Sequence, residues 1–210
     1  MGGAWVVLAY HRPGSPRGVA HVESMASRLS ARLGVTVRAE EIEEAPAACR
    51  EGGLVAALLP ARGGHLASLE SEAAARGCRL AGPVPARVLA AYLAEAARLG
   101  GRGCGGRVYL AYWRAKRYTR LQEADLARAA RLAESEAGLR VGLAAYEPPL
   151  PPRPPLGGAC AAVASMLPGR LPGILAAAGW RVIGEYVLAS VAARRVVEEW
   201  VALEAGRLAR

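Results

Sequence analysis

Residues 6–10 read VVLAY and residues 108–112 read VYLAY. Both are short runs rich in β-branched and aromatic residues, the composition of a buried strand. Each is followed by a polar turn and a long amphipathic stretch. Val22, Met25, Leu29 and Leu33 recur at helical spacing in the first, and Leu121, Leu126, Ala129 and Leu132 in the second. Each stretch stops at a glycine, Gly34 or Gly138. A second strand-like run follows, VTVRAE at 35–40 and LRVGLAAY at 139–146, and leads into EEIEEAP in one half and YEPPLPP in the other. GGLVAALLP at 52–60 is echoed by GGACAAVASMLP at 157–168, with Pro60 aligned on Pro168. Val88 and Tyr92 find counterparts in Val196 and Trp200. The chain is an internal duplication.

In each half short strands alternate with helices, which predicts parallel strands joined by right-handed crossovers. The expected fold is α/β, two similar lobes that are each a doubly wound parallel sheet. Residues 1–100 form one lobe and 107–210 the other, a degenerate repeat, and the glycine-rich 101–106 has the composition of a linker. Ligands of such sheets meet the loops at the carboxyl ends of the strands. Two informative loops fall there. YHRPGSPRG follows the first strand and PARGGH the third, which sets His11 and His65 facing each other in a cleft between the lobes.

Composition narrows the chemistry. The chain has 210 residues, 53% of them hydrophobic, and a net charge of +9 carried almost wholly by arginine, since Lys116 is the only lysine. That charge favours an acidic partner, while arginine in place of lysine is equally the mark of a GC-rich genome. Asn is absent, Gln122 is the only glutamine and Asp125 the only aspartate, a poverty in thermolabile amides that fits a thermophile. Cys49, Cys78, Cys104 and Cys160 form no CxxC pair, which argues against a zinc or redox motif. The expected state is buried free thiols, with disulfides in a thermophile's cytoplasm as the alternative. No apolar run reaches the length of a membrane span. MGGAWVVLAYHRPG lacks a basic n-region and a cleavage site, so it reads as a first strand and predicts a cytoplasmic protein. No Gly-rich loop ends in Gly-Lys-Ser or Gly-Lys-Thr, so no nucleotide is expected.

A first strand ending in His11 with Gly14-Ser15 close behind, and an apolar strand running into Pro60 and then Gly63-Gly64-His65, resemble the sirohydrochlorin cobaltochelatase family, the class II tetrapyrrole chelatases. The duplication extends the resemblance over the whole chain. It implies ATP-independent insertion of a divalent metal substrate, Co2+ or alternatively Fe2+ or Ni2+, into sirohydrochlorin or a related tetrapyrrole bearing many carboxylates. The departures are specific. The family pattern has Gly before the first histidine and Gly-Ser directly after it, where this chain has Tyr10 and an Arg12-Pro13 insertion. Ile42 occupies the register of the family's glutamate, flanked by Glu41 and Glu43. Trp113 stands in the place of His11, and the 171–173 region in that of His65, so one site per chain is expected, in the first half.

The resemblance and the chemistry together assign His11 and His65 as catalytic and, with Glu41 and Glu43, as metal-contacting. Imidazole is a base near neutrality and a borderline ligand for cobalt, iron and nickel, so the residue type suits both removal of pyrrole protons and delivery of the ion. A polyanionic macrocycle calls for cations at the cleft mouth. Arg12, Arg17 and Arg62 flank the histidines, and Arg114 and Lys116 lie on the matching loop of the other lobe. Ser15, Gly63, Gly64 and Trp113 complete the expected substrate-binding set, the glycines for close approach of the ring. His21, on the first helix beside Val22, reads as structural. A non-catalytic tetrapyrrole- or metal-binding protein of the same fold is the alternative. Nucleic acid is disfavoured, because YWRAKRYTR at 112–120 interleaves aromatics with cations but no recognised motif accompanies it. The oligomeric state stays open.

Overall fold

The computed structural model describes residues 5–104, 106–155 and 159–208; the first four residues, Gly105 and the Gly157-Gly158 pair of the repeat lie outside them. In chain order the first half holds β1 (Trp5–Tyr10), α1 (Pro16–Leu33), β2 (Thr36–Glu41), α2 (Ala45–Ala48), β3 (Leu54–Ala57), α3 (Gly64–Ala75), β4 (Arg79–Ala81) and α4 (Ala86–Gly100). The second holds β5 (Arg107–Trp113), α5 (Thr119–Ala137), β6 (Arg140–Tyr146), β7 (Cys160–Val163), α6 (Leu171–Ala177), β8 (Arg181–Gly184) and α7 (Val191–Gly206).

The strand orders are β2-β1-β3-β4 and β6-β5-β7-β8, all pairs parallel, so the two halves repeat one doubly wound plan. β1 and β3 are buried on both faces, as parallel strands under helices must be. Val6, Leu8 and Tyr10 of β1 face the inner core, and Val7 and Ala9 face α2 and α3 outside. The predicted stops at Gly34 and Gly138 are left-handed caps, with φ of 66° and 64°. Val6 pairs with Leu54 and Val108 with Cys160, so Leu54 corresponds to Cys160. Counted from there, Pro168 lies two residues beyond the equivalent of Pro60, which corrects the Pro60–Pro168 alignment.

The inner core is shared. β1, β3, α1, α4, β5, α5 and α7 contribute to one continuous cluster between the two sheets. The last helix of each half packs on the other half: α4 lies against α5 and β8, and α7 against α1 and β3. Tyr92 of α4 accepts a hydrogen bond from the Val163 amide of β7 at 3.1 Å, and Glu204 of α7 pairs with Arg79 of β4 at 2.8 Å. Glu95 of α4 in turn accepts from the Ala192 amide and the Ser190 hydroxyl, both at 2.9 Å, at the start of α7. The first sheet lies within 1–100 and the second within 107–210, yet the helices covering them are exchanged.

The expectation of free thiols is overturned. Cys49 is bonded to Cys78 and Cys104 to Cys160, across 29 and 56 residues. Spacing could not reveal this, because each pair meets only when the sheet brings α2 beside the start of β4, or the interlobe segment beside β7. In the chain-entropy model closing loops of this size stabilises by about 3–4 kcal/mol each. The linker is accordingly tied down, with Gly101–Cys104 in a 3-10 turn. Among the described residues no helix is long and apolar enough to cross a membrane.

Candidate active-site cleft

Strand order reverses between β1 and β3, so the connections leaving their carboxyl ends diverge, α1 to the inner face and α3 to the outer. The crevice this opens is where doubly wound sheets bind ligands. His11 follows β1 directly, and His65 sits in the first turn of α3, after the backbone leaves β3 through Leu58, bends at Pro60 and Ala61 and runs extended through Gly63. The two imidazoles meet edge to face, with ring centroids 4.9 Å apart and planes at 82°. Both are exposed. The Nδ1 of His11 lies 3.3 Å from the carbonyl of Arg12, and in the neutral tautomer that donates there the Nε2 is an acceptor.

The same loops of the second lobe close the other side. His11–Gly14, Leu58–Leu66, Tyr112–Ala115 and Ala164–Arg170 surround a cavity of about 680 Å³ with Leu126 and Gln122. The loops are joined across the lobes: the Gly14 amide donates to the Pro168 carbonyl at 2.8 Å. A Cβ on Gly18 would lie 2.6 Å from Pro13 and 2.8 Å from Pro168, so the start of α1 is wedged against both loops. Gly63 faces open space, with nothing within 4 Å of a Cβ built on it.

Three of the four arginines expected at the cleft, Arg12, Arg62 and Arg114, are already paired. Arg12 reaches outward to Glu41 with Nε at 2.9 and 2.8 Å from the two carboxylate oxygens, and this guanidinium holds the Glu41 carboxyl below the usual range. Arg62 is forked by Asp125 of α5, and Arg114 lies between Glu123 and Glu147. Glu43 is exposed on the turn after β2. The two glutamates do not join the histidines: among the described residues no group of three or more His, Cys, Asp or Glu side chains is placed to hold a metal ion. Ser15 and Glu41 line an adjoining depression of about 540 Å³, while Arg17 and Lys116 line neither space. Trp113 takes the position of His11 in the second lobe, 45% exposed, and is set edge to face against Tyr146 at 4.4 Å. His21 lies away from the cleft beside Tyr186; burial and the nearby Arg194 push its pKa down.

Three residues of the site escaped the sequence reading. Arg170 lines the cavity and makes no ion pair among the described residues. Gln122 holds the loop after β5, donating to the Trp113 carbonyl and accepting from the Ala115 amide, both at 2.8 Å. Asp125 holds Arg62. A signal for the last two was present, since each is the only residue of its type in the chain.

No protein-family model and no curated protein matches this sequence. Among solved structures the chain is similar to CbiX, the terminal enzyme for biosynthesis of siroheme in denitrifying bacteria, with a TM-score of 0.69, 19% identity, and 96% of this chain and 98% of that one covered. It is also similar to the sirohydrochlorin chelatase SirB from Bacillus subtilis subspecies spizizenii in complex with cobalt, with a TM-score of 0.54, 13% identity, and coverage of 94% and 96%. The two-lobed α/β fold is therefore shared with both over nearly the full length.

Proposed function

We propose that this chain is a class II tetrapyrrole chelatase that inserts a divalent metal into sirohydrochlorin or a related tetrapyrrole without a nucleotide. Cobalt is the first candidate, and iron and nickel the alternatives. The observation that carries the proposal is the His11–His65 pair, 4.9 Å apart on the wall of an interlobe cleft at the carboxyl ends of the strands. The likeness in fold to CbiX and SirB supports it.

Insertion exchanges one divalent ion for the two protons on the pyrrole nitrogens. Neutral imidazole can hold the ion through a ring nitrogen or accept a proton, and with only two such groups in the wall the ion is released to the macrocycle rather than trapped in a closed shell. The bare backbone at Gly63 lets the ring approach the histidines closely. Trp113 offers a stacking face from the other lobe. Arg170, on the cavity wall, meets the rim carboxylates, because Arg12, Arg62 and Arg114 are each committed to a protein carboxylate. We place the reaction in the cytoplasm, where the two disulfides belong to the thermophile exception.

The test is anaerobic incubation with sirohydrochlorin and each of Co2+, Ni2+ and Fe2+, followed by absorbance. His11→Ala and His65→Ala should each lower the insertion rate at least about ten-fold. His21→Ala should leave it unchanged. Wild-type rates in both loop variants would refute the assignment. The pairing of Glu41 with Arg12, which leaves the histidines without a carboxylate ligand, favours a second reading, a tetrapyrrole-binding protein without insertase activity. A spectral shift on mixing with no insertion above the spontaneous rate would establish that reading instead.

A further inference from the structure

The segment that carries His65 is poorly packed at its centre. Ala61 and Leu66 are buried, but between them Gly63 has no neighbour within 4 Å of a built Cβ, and Gly64 meets only the ring of Tyr118 at 3.9 Å. No side chain caps the start of α3. The side-chain hydrogen bonds that hold this stretch come from the opposite lobe. Asp125 accepts from the Arg62 backbone amide at 3.0 Å and from Arg62 Nε at 2.9 Å through Oδ2, and from Nη2 at 2.8 Å through Oδ1. Burial pushes the Asp125 carboxyl up, but the hydrogen bonds from Arg62 outweigh this and hold it below its usual range.

We infer that Asp125 is a positioning residue for His65: by gripping both the main chain and the guanidinium of Arg62 from α5, it sets the Gly63-Gly64-His65 turn against His11. The kinetic part of this inference rests on the chelatase reading. One carboxylate binds three donors of a single residue, and a two-point fork plus a backbone bond fixes that residue's direction as well as its place. His65 lies three residues further along, and among the described residues no other side-chain hydrogen bond falls between them. The same helix steadies the second-lobe loops, since Gln122 clasps Trp113 and Ala115, and Glu123 accepts from the Tyr112 hydroxyl at 2.7 Å. The first two turns of α5 therefore orient loops from both sides of the cleft. Arg62, neutralised within this clamp, serves geometry rather than substrate charge.

Asp125→Asn is nearly isosteric and replaces one acceptor oxygen with a donor; Asp125→Ala removes the clamp. With the substrate and ions above, both should lower kcat at least about ten-fold, since displacing a reacting group by an ångström has effects of that order, while KM stays within about two-fold. Asp125→Glu keeps the carboxylate and should recover kcat to within about three-fold of wild type. A separate readout needs no activity: the chain has only three histidines, and in Asp125→Asn the imidazole NMR resonances of His65 should move while those of His21 do not. If the unmodified chain inserts no metal, the chelatase reading fails and the resonances still decide the clamp. Wild-type kcat with unmoved His65 resonances in Asp125→Asn would overturn the inference. So would a loss confined to KM, which would mean that Arg62 touches substrate.

Discussion

Replacing Tyr92 with Phe removes one oxygen from the place where the lobes interlock. Tyr92 is buried on α4, and its hydroxyl accepts the Val163 amide at 3.1 Å. The bond fills a gap in the second sheet. The β7–β8 ladder shifts register between Ala161 and Ala162, and Gly184 leaves room for the ring: a Cβ there would stand 2.3 Å from the hydroxyl and 2.7 Å from Cζ. In Tyr92→Phe the Val163 amide is buried with no acceptor, which costs about 1–3 kcal/mol. At about 2–4 °C per kcal/mol for a chain of this size, a midpoint loss of about 4–8 °C follows for a central cost near 2 kcal/mol. Calorimetry with the disulfides intact measures it, and hydrogen exchange adds the location, because the Val163 amide should lose protection. Gly184→Ala should destabilise by about 1–3 kcal/mol through overpacking. Tyr92→Phe should rescue it only in part, since the ring carbon stays in the way. A midpoint lowered by less than about 1 °C in Tyr92→Phe, with Val163 exchange unchanged, would refute the account of this bond.

Two further outcomes follow from the exchanged helices. Burial raises the Glu95 carboxyl, but the hydrogen bonds from the Ala192 amide and Ser190 hydroxyl outweigh it and hold the group below its ordinary value near 4.5. A depressed carboxyl contributes stability that is present above its unfolded pKa and lost as pH falls through the folded one. Glu95→Gln should therefore melt about 2–4 °C below wild type at pH 7, a loss of about 1 kcal/mol of helix capping, and the gap should narrow as the pH falls below the ordinary value near 4.5 and through the lower folded one; a gap constant with pH would rule this out. Residues 1–104 or 107–210 alone should not melt cooperatively as monomers, because Leu89, Tyr92 and Leu93 of α4 lose the second lobe and Val197, Trp200 and Val201 of α7 lose the first. Sedimentation paired with circular dichroism checks this, and a monomeric half with a sharp transition would contradict the exchange.

The duplication was legible because hydrophobic period and glycine stops are local properties. VVLAY and VYLAY became the central strands β1 and β5, and Gly34 and Gly138 became left-handed caps, since a run of this kind between such stops has one low-energy way to bury itself. Parallel alternation then required His11 and the Gly63-Gly64-His65 turn to leave the same end of the sheet, so the pairing of two distant histidines could also be read from the chain.

Partner choice could not be read. Whether an arginine faces a ligand or a glutamate depends on which carboxylate the fold brings within about 3 Å, and no local sequence preference sets that. Arg12 meets Glu41 because β1 and β2 end side by side, and Arg62 meets Asp125 because the second lobe swings α5 over the first lobe's loop. The cystines Cys49–Cys78 and Cys104–Cys160 and the crossing of α4 and α7 to opposite sheets have the same origin. The sequence alone determined what each half builds. Only the tertiary structure decided how the halves are held together and which charges remain for a ligand, because those contacts join residues far apart in the chain whose meeting no local period encodes.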